Sequence, residues 1–323
     1  MAKLTALAAA ALLAAAIAPA SAQEWPARPI SMVVPYAAGG PPDVIARIIA
    51  PGMSESLGVQ VVVENVSGAG GITGAARVAR ATPDGYTFLL GAAGVLSQNQ
   101  TLYKHPPYNA VTDFAPVGLI ALTPAILVTR PDFPANDLRG FIAYATANQT
   151  KLLFGSGGAG SGSHIACLLL NTAIGVKVTH VPYRGSARPD LIAGRLDYMC
   201  DFSSTALPEI EAKEVKALAI LARERAAVLP DLATADEQGL ANFDATGWYA
   251  FVLPARTPEP IVRRLNKAMS DALDGPVASE RYRRLGNAVA PPAQRSPEYL
   301  GKFIRNEIDK WAGPIRASGV SME

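Results

Sequence analysis

One local pattern recurs along this chain and limits what it can fold into. A short apolar run stops at proline or glycine, a turn of small residues follows, and a helix-forming stretch comes next. Residues 30–35 read as a strand, Ala37-Ala38-Gly39-Gly40 as the turn and 42–57 as the helix, with Val44, Ile45, Ile48 and Ile49 on one face. Strand 59–64, turn Gly68-Ala69-Gly70-Gly71 and helix 74–80 repeat the order, and 87–91 adds a strand. Strands 117–121 and 125–129 flank a crossing point at Thr123-Pro124. Helix 138–147, strand 152–154, a ten-residue small-residue turn and helix 163–174 follow, then strand 178–181, helix 189–193 and strands 198–202 and 218–221. Residues 247–253 bring the chain back, and helices 258–273, 280–285 and 297–312 end it. Strands alternating with helices predict an α/β fold. The echo of Val34-Pro35-Tyr36 in Val181-Pro182-Tyr183, each before a small-residue turn, predicts two similar units that face each other.

Composition narrows the class. At 323 residues, 50% of them hydrophobic, the chain suits two domains or one large α/β domain. A net charge of +2 supplies no basic stripe for nucleic acid. Two cysteines and three histidines hold no inventory for a Cys/His metal cluster, and no cofactor is expected. Lys3, an apolar stretch over 4–17 and Pro19-Ala20-Ser21-Ala22 read as a secretory leader, 1–22, cut after Ala22. The stretch falls short of the ~20 residues that span a bilayer. A periplasmic protein is therefore expected, in a compartment where ATP and NAD are scarce.

The chemistry concentrates in the turns. Gly39-Gly40 leaves amides uncovered ahead of a helix opened by Pro41-Pro42, an anion-ready arrangement. A bulky residue at Gly40 is expected to cover those amides or to meet a backbone of positive φ. Gly155 to Gly160 match G-x-G-x-x-G, but no Asp or Glu lies between Asp137 and Asp190 to hold a ribose, which argues against a dinucleotide. Gly160, Ser161, Gly162, Ser163 and His164 instead offer amides, hydroxyls and a helix cap. A hydrolase using Ser161 or Ser163 with His164 is the rival reading, although the nucleophile elbow G-x-S-x-G is absent. Asp201, at a strand end, can orient loop amides, accept a hydroxyl or amino group from a ligand, or cap a helix. Cys167 and Cys200, in an oxidising compartment and on the same side of an α/β layer, are expected to form a disulfide.

As a set, these stretches resemble the Bug family, the TctC-like solute receptors of tripartite tricarboxylate transporters. The matching residues are Trp25-Pro26-Ala27-Arg28-Pro29-Ile30, Val34 to Gly40 with Asp43 and Ala46-Arg47, Glu64-Asn65 with Gly68 to Gly71, and Pro83-Asp84-Gly85-Tyr86-Thr87. Gly155-Ser156 through His164, His180 to Gly185, Leu229 to Thr234 and Pro254 through Asn266 complete them. Pro41-Pro42 departs from the pattern, sitting where a small or hydroxylated residue is expected. The resemblance implies a two-lobed periplasmic binding protein fold, with lobe one as 23–124 plus 249–323 and lobe two as 125–248. It implies a monomeric receptor that closes on an organic carboxylate and delivers it to membrane transporter subunits. The ligand-binding residues expected on these grounds are Tyr36, Ala38, Gly39, Gly40, Pro41, Gly70, Gly71, Gly160, Ser161, Gly162, Ser163, His164, Tyr183 and Asp201.

Overall fold

The computed structural model describes residues 25–322, so the expected leader at 1–22 lies outside the described residues. Eleven described strands form two sheets. The first contains β1 (Ile30–Val34), β2 (Val61–Asn65), β3 (Thr87–Ala92), β4 (Phe114–Thr123), β10 (Gly247–Pro254) and β11 (Ala288–Val289), ordered β11-β4-β10-β3-β1-β2. The second contains β5 (Ala125–Thr129), β6 (Leu153–Ser156), β7 (Thr179–Pro182), β8 (Tyr198–Phe202) and β9 (Lys216–Ile220), ordered β7-β6-β8-β5-β9. Both sheets are mixed. β1 runs parallel to β2 and β3, and β6 runs parallel to β7 and β8, while β10 and β5 run antiparallel to their neighbours.

The chain passes between the sheets at Pro124 and returns ahead of Gly247. Trp248 already pairs with Leu122 of the first sheet.

Near-continuous apolar strands follow from helices covering both faces of each sheet. On β1, Met32 and Val34 pack with the helices Pro41–Leu57 and Glu259–Asp274. Val33, between them, packs on the opposite face with the helices Ile72–Ala79 and Pro297–Ala317. Along β8, Tyr198 and Cys200 join one cluster and Met199 the other.

Element ends differ from expectation mainly by one or two residues. Two helical stretches were not legible. Gly94–Gln98 with Asn99–Leu102 carries buried polar residues, and Ser203–Glu211 contains Pro208, which reads locally as a breaker. Packing decides both.

Cys167, in the helix Gly162–Ala173, and Cys200, on β8, are joined by a disulfide with their Cα atoms 5.3 Å apart, both fully buried. The bond closes a loop of 33 residues, worth about 3–4 kcal/mol in the chain-entropy picture. Denatured, unreduced protein is expected to show no free thiol. Replacing both cysteines by alanine is expected to lower the urea-unfolding free energy by about that amount. Two titrating thiols would contradict the bridge.

Candidate functional site

The loops leaving the carboxyl ends of the parallel strands of both sheets line one cavity of about 550 Å³, the size of a small-molecule site. Open α/β sheets characteristically bind ligands at such strand ends. From the first sheet come Pro35 to Ala38, Gly40 to Pro42, Ser67 to Gly71 and the start of β10. From the second come Gly157 to Ala159, Ser161 to Ser163, Pro182 to Arg188 and Asp201.

The first loop is held from below by a buried carboxylate. Asp43 accepts hydrogen bonds from Gly39 N at 2.8 Å, Arg47 Nε at 2.9 Å and Asn65 Nδ2 at 2.9 Å. Asn65 also donates to Tyr36 O. Burial works against ionisation of Asp43, but these bonds and the Arg47 charge prevail and hold its carboxyl below the usual range. The left-handed residue here is Gly39, at φ +75°, whereas Gly40 is extended at φ −77°. The expectation of a positive φ at Gly40 is therefore corrected. Gly39 N is committed to Asp43, and Gly40 N to Ala37 O at 3.3 Å. Pro41 and Pro42 occupy the first two helical positions, so neither has an amide to offer. Within this loop the amides of Gly39 and Gly40 are therefore engaged, and Ala37 and Ala38, which precede them, line the cavity.

What the first sheet does offer is Tyr36. Its hydroxyl is buried, lies against Gly71 and Gly94, and has no hydrogen-bond partner among the described residues. Burial pushes its pKa upward, so the group stays a neutral donor. Tyr183, its counterpart in the sequence echo, also lines the cavity but donates its hydroxyl to Asp190.

On the second sheet Ser161 caps its helix, accepting from His164 N at 3.4 Å, and its hydroxyl lies 3.2 Å from that of Ser163. Ser163 accepts from Gly157 N at 3.1 Å. Either hydroxyl can donate across the Ser161–Ser163 contact, which leaves one proton of the pair for a further acceptor. Asp201 is buried, accepts from Phe202 N and the Thr205 hydroxyl, and caps no helix. Burial pushes its carboxyl above the usual range, against the pull of Arg188. Arg188 lies with its Nε 2.7 Å from Glu209 Oε1 and its Nη2 3.5 Å from Gly39 O, reaching the first sheet's loop.

The two sheets' loops meet backbone to backbone. A Cβ on Gly70 would stand 2.0 Å from Ala159 O.

The model of the tripartite tricarboxylate transporter receptor family, TctC, matches residues 45–320. The chain belongs to this family. A UPF0065 protein of Agrobacterium vitis, from the TAR-I ttuE-ttuC' intergenic region, is 41% identical over 313 residues, covering 95% of this chain and 90% of the relative. The periplasmic binding protein BugD superposes with a TM-score of 0.89 at 38% identity, covering 93% of this chain and all of that one. MatC from Rhodopseudomonas palustris with bound malate superposes at 0.88 with 40% identity, covering 90% and 100%. The two-sheet α/β architecture is thus that of periplasmic binding proteins.

Within this receptor the cavity gathers eleven of the residues expected there: Tyr36, Ala38, Gly40, Pro41, Gly70, Gly71, Ser161, Gly162, Ser163, Tyr183 and Asp201. Gly39, which is exposed, and Gly160 and His164, which are buried, do not line it. His164 turns inward because its Nδ1 accepts the Gly160 amide at 3.1 Å and its ring stacks on His180, with centroids 4.0 Å apart. Its ring therefore engages loop backbone rather than a serine hydroxyl, and the hydrolase pairing is not assembled. Sequence reasoning missed Arg184 to Arg188, which the Val181-Pro182-Tyr183 echo adjoins. It also missed Trp248 and Tyr249, for which no local signal exists.

Two outcomes are expected. Gly70 and Gly175 both have positive φ, +61° and +71°, but a Cβ on Gly175 meets nothing within 4 Å. Gly70→Ala should cost roughly 1–3 kcal/mol more than Gly175→Ala in urea unfolding. Equal costs would deny the close approach. Burial lowers the pKa of His180 to about 4, and burial followed by the His180 charge lowers that of His164 to about 3. An imidazole held neutral when folded contributes stability above its unfolded pKa, and loses it as pH falls below about 6.5. The stability advantage of wild type over His180→Gln should shrink by at most about 2 kcal/mol between pH 7.5 and 5, discounted because the ring is only partly buried. Unfolding curves at the two pH values check it.

Proposed function

We propose that this receptor captures a small organic carboxylate between its two sheets, without converting it, and delivers it to membrane subunits of a tripartite tricarboxylate-type transporter. It acts as an exported periplasmic monomer whose two lobes, each built on one sheet, close over the ligand. The observation that carries this reading is a ligand-sized cavity walled by hydroxyls, Tyr36 from one sheet and the hydrogen-bonded Ser161–Ser163 pair from the other. Malate bound to MatC, a family neighbour, supports the same ligand class.

The energetics suffice. Three or four charge-assisted hydrogen bonds at roughly 1.5–3 kcal/mol each, less ordering costs, reach the ~8 kcal/mol of micromolar binding.

A thermal-shift panel of aliphatic and aromatic mono- and dicarboxylates tests the reading, since a ligand that binds only the folded state raises the melting temperature. At least one carboxylate should stabilise the protein, bind with micromolar affinity by calorimetry, and be recovered unchanged by mass spectrometry after long incubation. Ser163→Ala should weaken that ligand roughly tenfold, one hydrogen bond's worth. Conversion of the ligand would favour the hydrolase instead, and absence of any carboxylate binding would reject the receptor reading.

A further inference from the structure

Asp201 is a carboxylate set into the wall of a cavity proposed to receive carboxylates. Its hydrogen bonding is incomplete. Oδ1 accepts from Phe202 N at 2.9 Å. The Thr205 hydroxyl lies 3.0 Å from Oδ1, 3.0 Å from Oδ2 and 3.2 Å from Phe202 O, yet it has one proton to give. Two protons from described residues thus serve a buried carboxylate with about four acceptor positions, and Oδ2 is the oxygen left short. Arg188 supplies the local positive charge. Its guanidinium is shared with Glu209, across 2.7 Å, and with Gly39 O rather than given to Asp201 alone.

We propose that Asp201 reads a hydrogen-bond donor, hydroxyl or ammonium, on the carbon skeleton of the ligand, so that this receptor selects substituted dicarboxylates over unsubstituted ones. This rests on the carboxylate-receptor reading. A bare methylene chain placed here leaves the buried Oδ2 with no more than its share of the Thr205 proton and brings a second carboxylate toward a fixed one, both unfavourable. A hydroxyl or ammonium supplies the missing proton and separates the two like charges. A site built to bond a ligand's donor rejects the analogue that lacks it far more strongly than an apolar pocket rejects a missing methylene. Arg188 beside Asp201 weighs against a second cation and for a neutral hydroxyl.

Calorimetry with succinate, L-malate, D-malate and L-aspartate on the full protein tests this, because the four share a four-carbon dicarboxylate frame. One malate enantiomer or aspartate should bind at least tenfold tighter than succinate. A lead for malate identifies hydroxyl as the donor read, and a lead for aspartate identifies ammonium. Asp201→Asn should cut that preference at least fivefold while succinate binding changes less than threefold. Succinate within twofold of the others in wild type, or an undiminished preference in Asp201→Asn, overturns the proposal and leaves the receptor reading standing. If Asp201→Asn does not fold, the wild-type comparison decides alone. Binding of none of the four, while other carboxylates bind, overturns this inference only. Absence of binding by every carboxylate overturns both.

Discussion

The contact on which this molecule's binding geometry depends is the approach of two backbones, Gly70 from the first sheet's loops and Ala159 from the second's. Side chains are absent from the point of contact, so peptide groups of the two units come within a distance no Cβ could tolerate. The hydroxyl of Tyr36 can then share one cavity with Ser161 and Ser163, although the Tyr36 and Ser161 positions lie far apart in sequence. The glycine-rich turns serve as contact surfaces between units as much as local corners.

Each loop is stiffened from the side away from the cavity. Asp43 gathers Gly39, Arg47 and Asn65 under the first loop. Under the second, His164 and His180 stack as neutral rings, His164 holding Gly160 N while His180 lies 2.6 Å from the Ser156 hydroxyl. The disulfide ties the helix that follows this loop to β8, the strand that carries Asp201. Stiff loops keep hydroxyl donors aimed without the entropy cost of ordering them at binding. Pro41-Pro42 belongs to the same economy: it starts the helix rigidly while removing two amides that could otherwise reach a ligand. The Tyr36 hydroxyl is left as an unpartnered polar group beside that loop.

Charge is handled differently on the second sheet. Asp201 and Glu209 are both raised by burial, Glu209 to about 7, and the Arg188 charge opposes the shift of each.

Local chemistry by itself determined the alternation of strands and helices, the turns at their junctions, and the identity of eleven cavity-lining residues. Those signals are short-range. Apolar periodicity, proline stops and glycine turns act within one or two elements, so Ala125–Thr129 and Tyr198–Phe202 were legible to the residue. Only the tertiary structure decided which polar atoms face the cavity. Pro41 holds the preceding Gly40 extended, whereas the amide of Gly39, whose backbone is left-handed, goes to the buried Asp43. Nothing local tells His164 to stack inward on His180, which comes beside it only when β7 pairs with β6. Trp248 and Tyr249 reach the site from the far end of the chain, through antiparallel pairing of β10 with β3 and β4. Orientation of this kind is set by long-range packing and by competition among hydrogen-bond partners, which a linear sequence does not display.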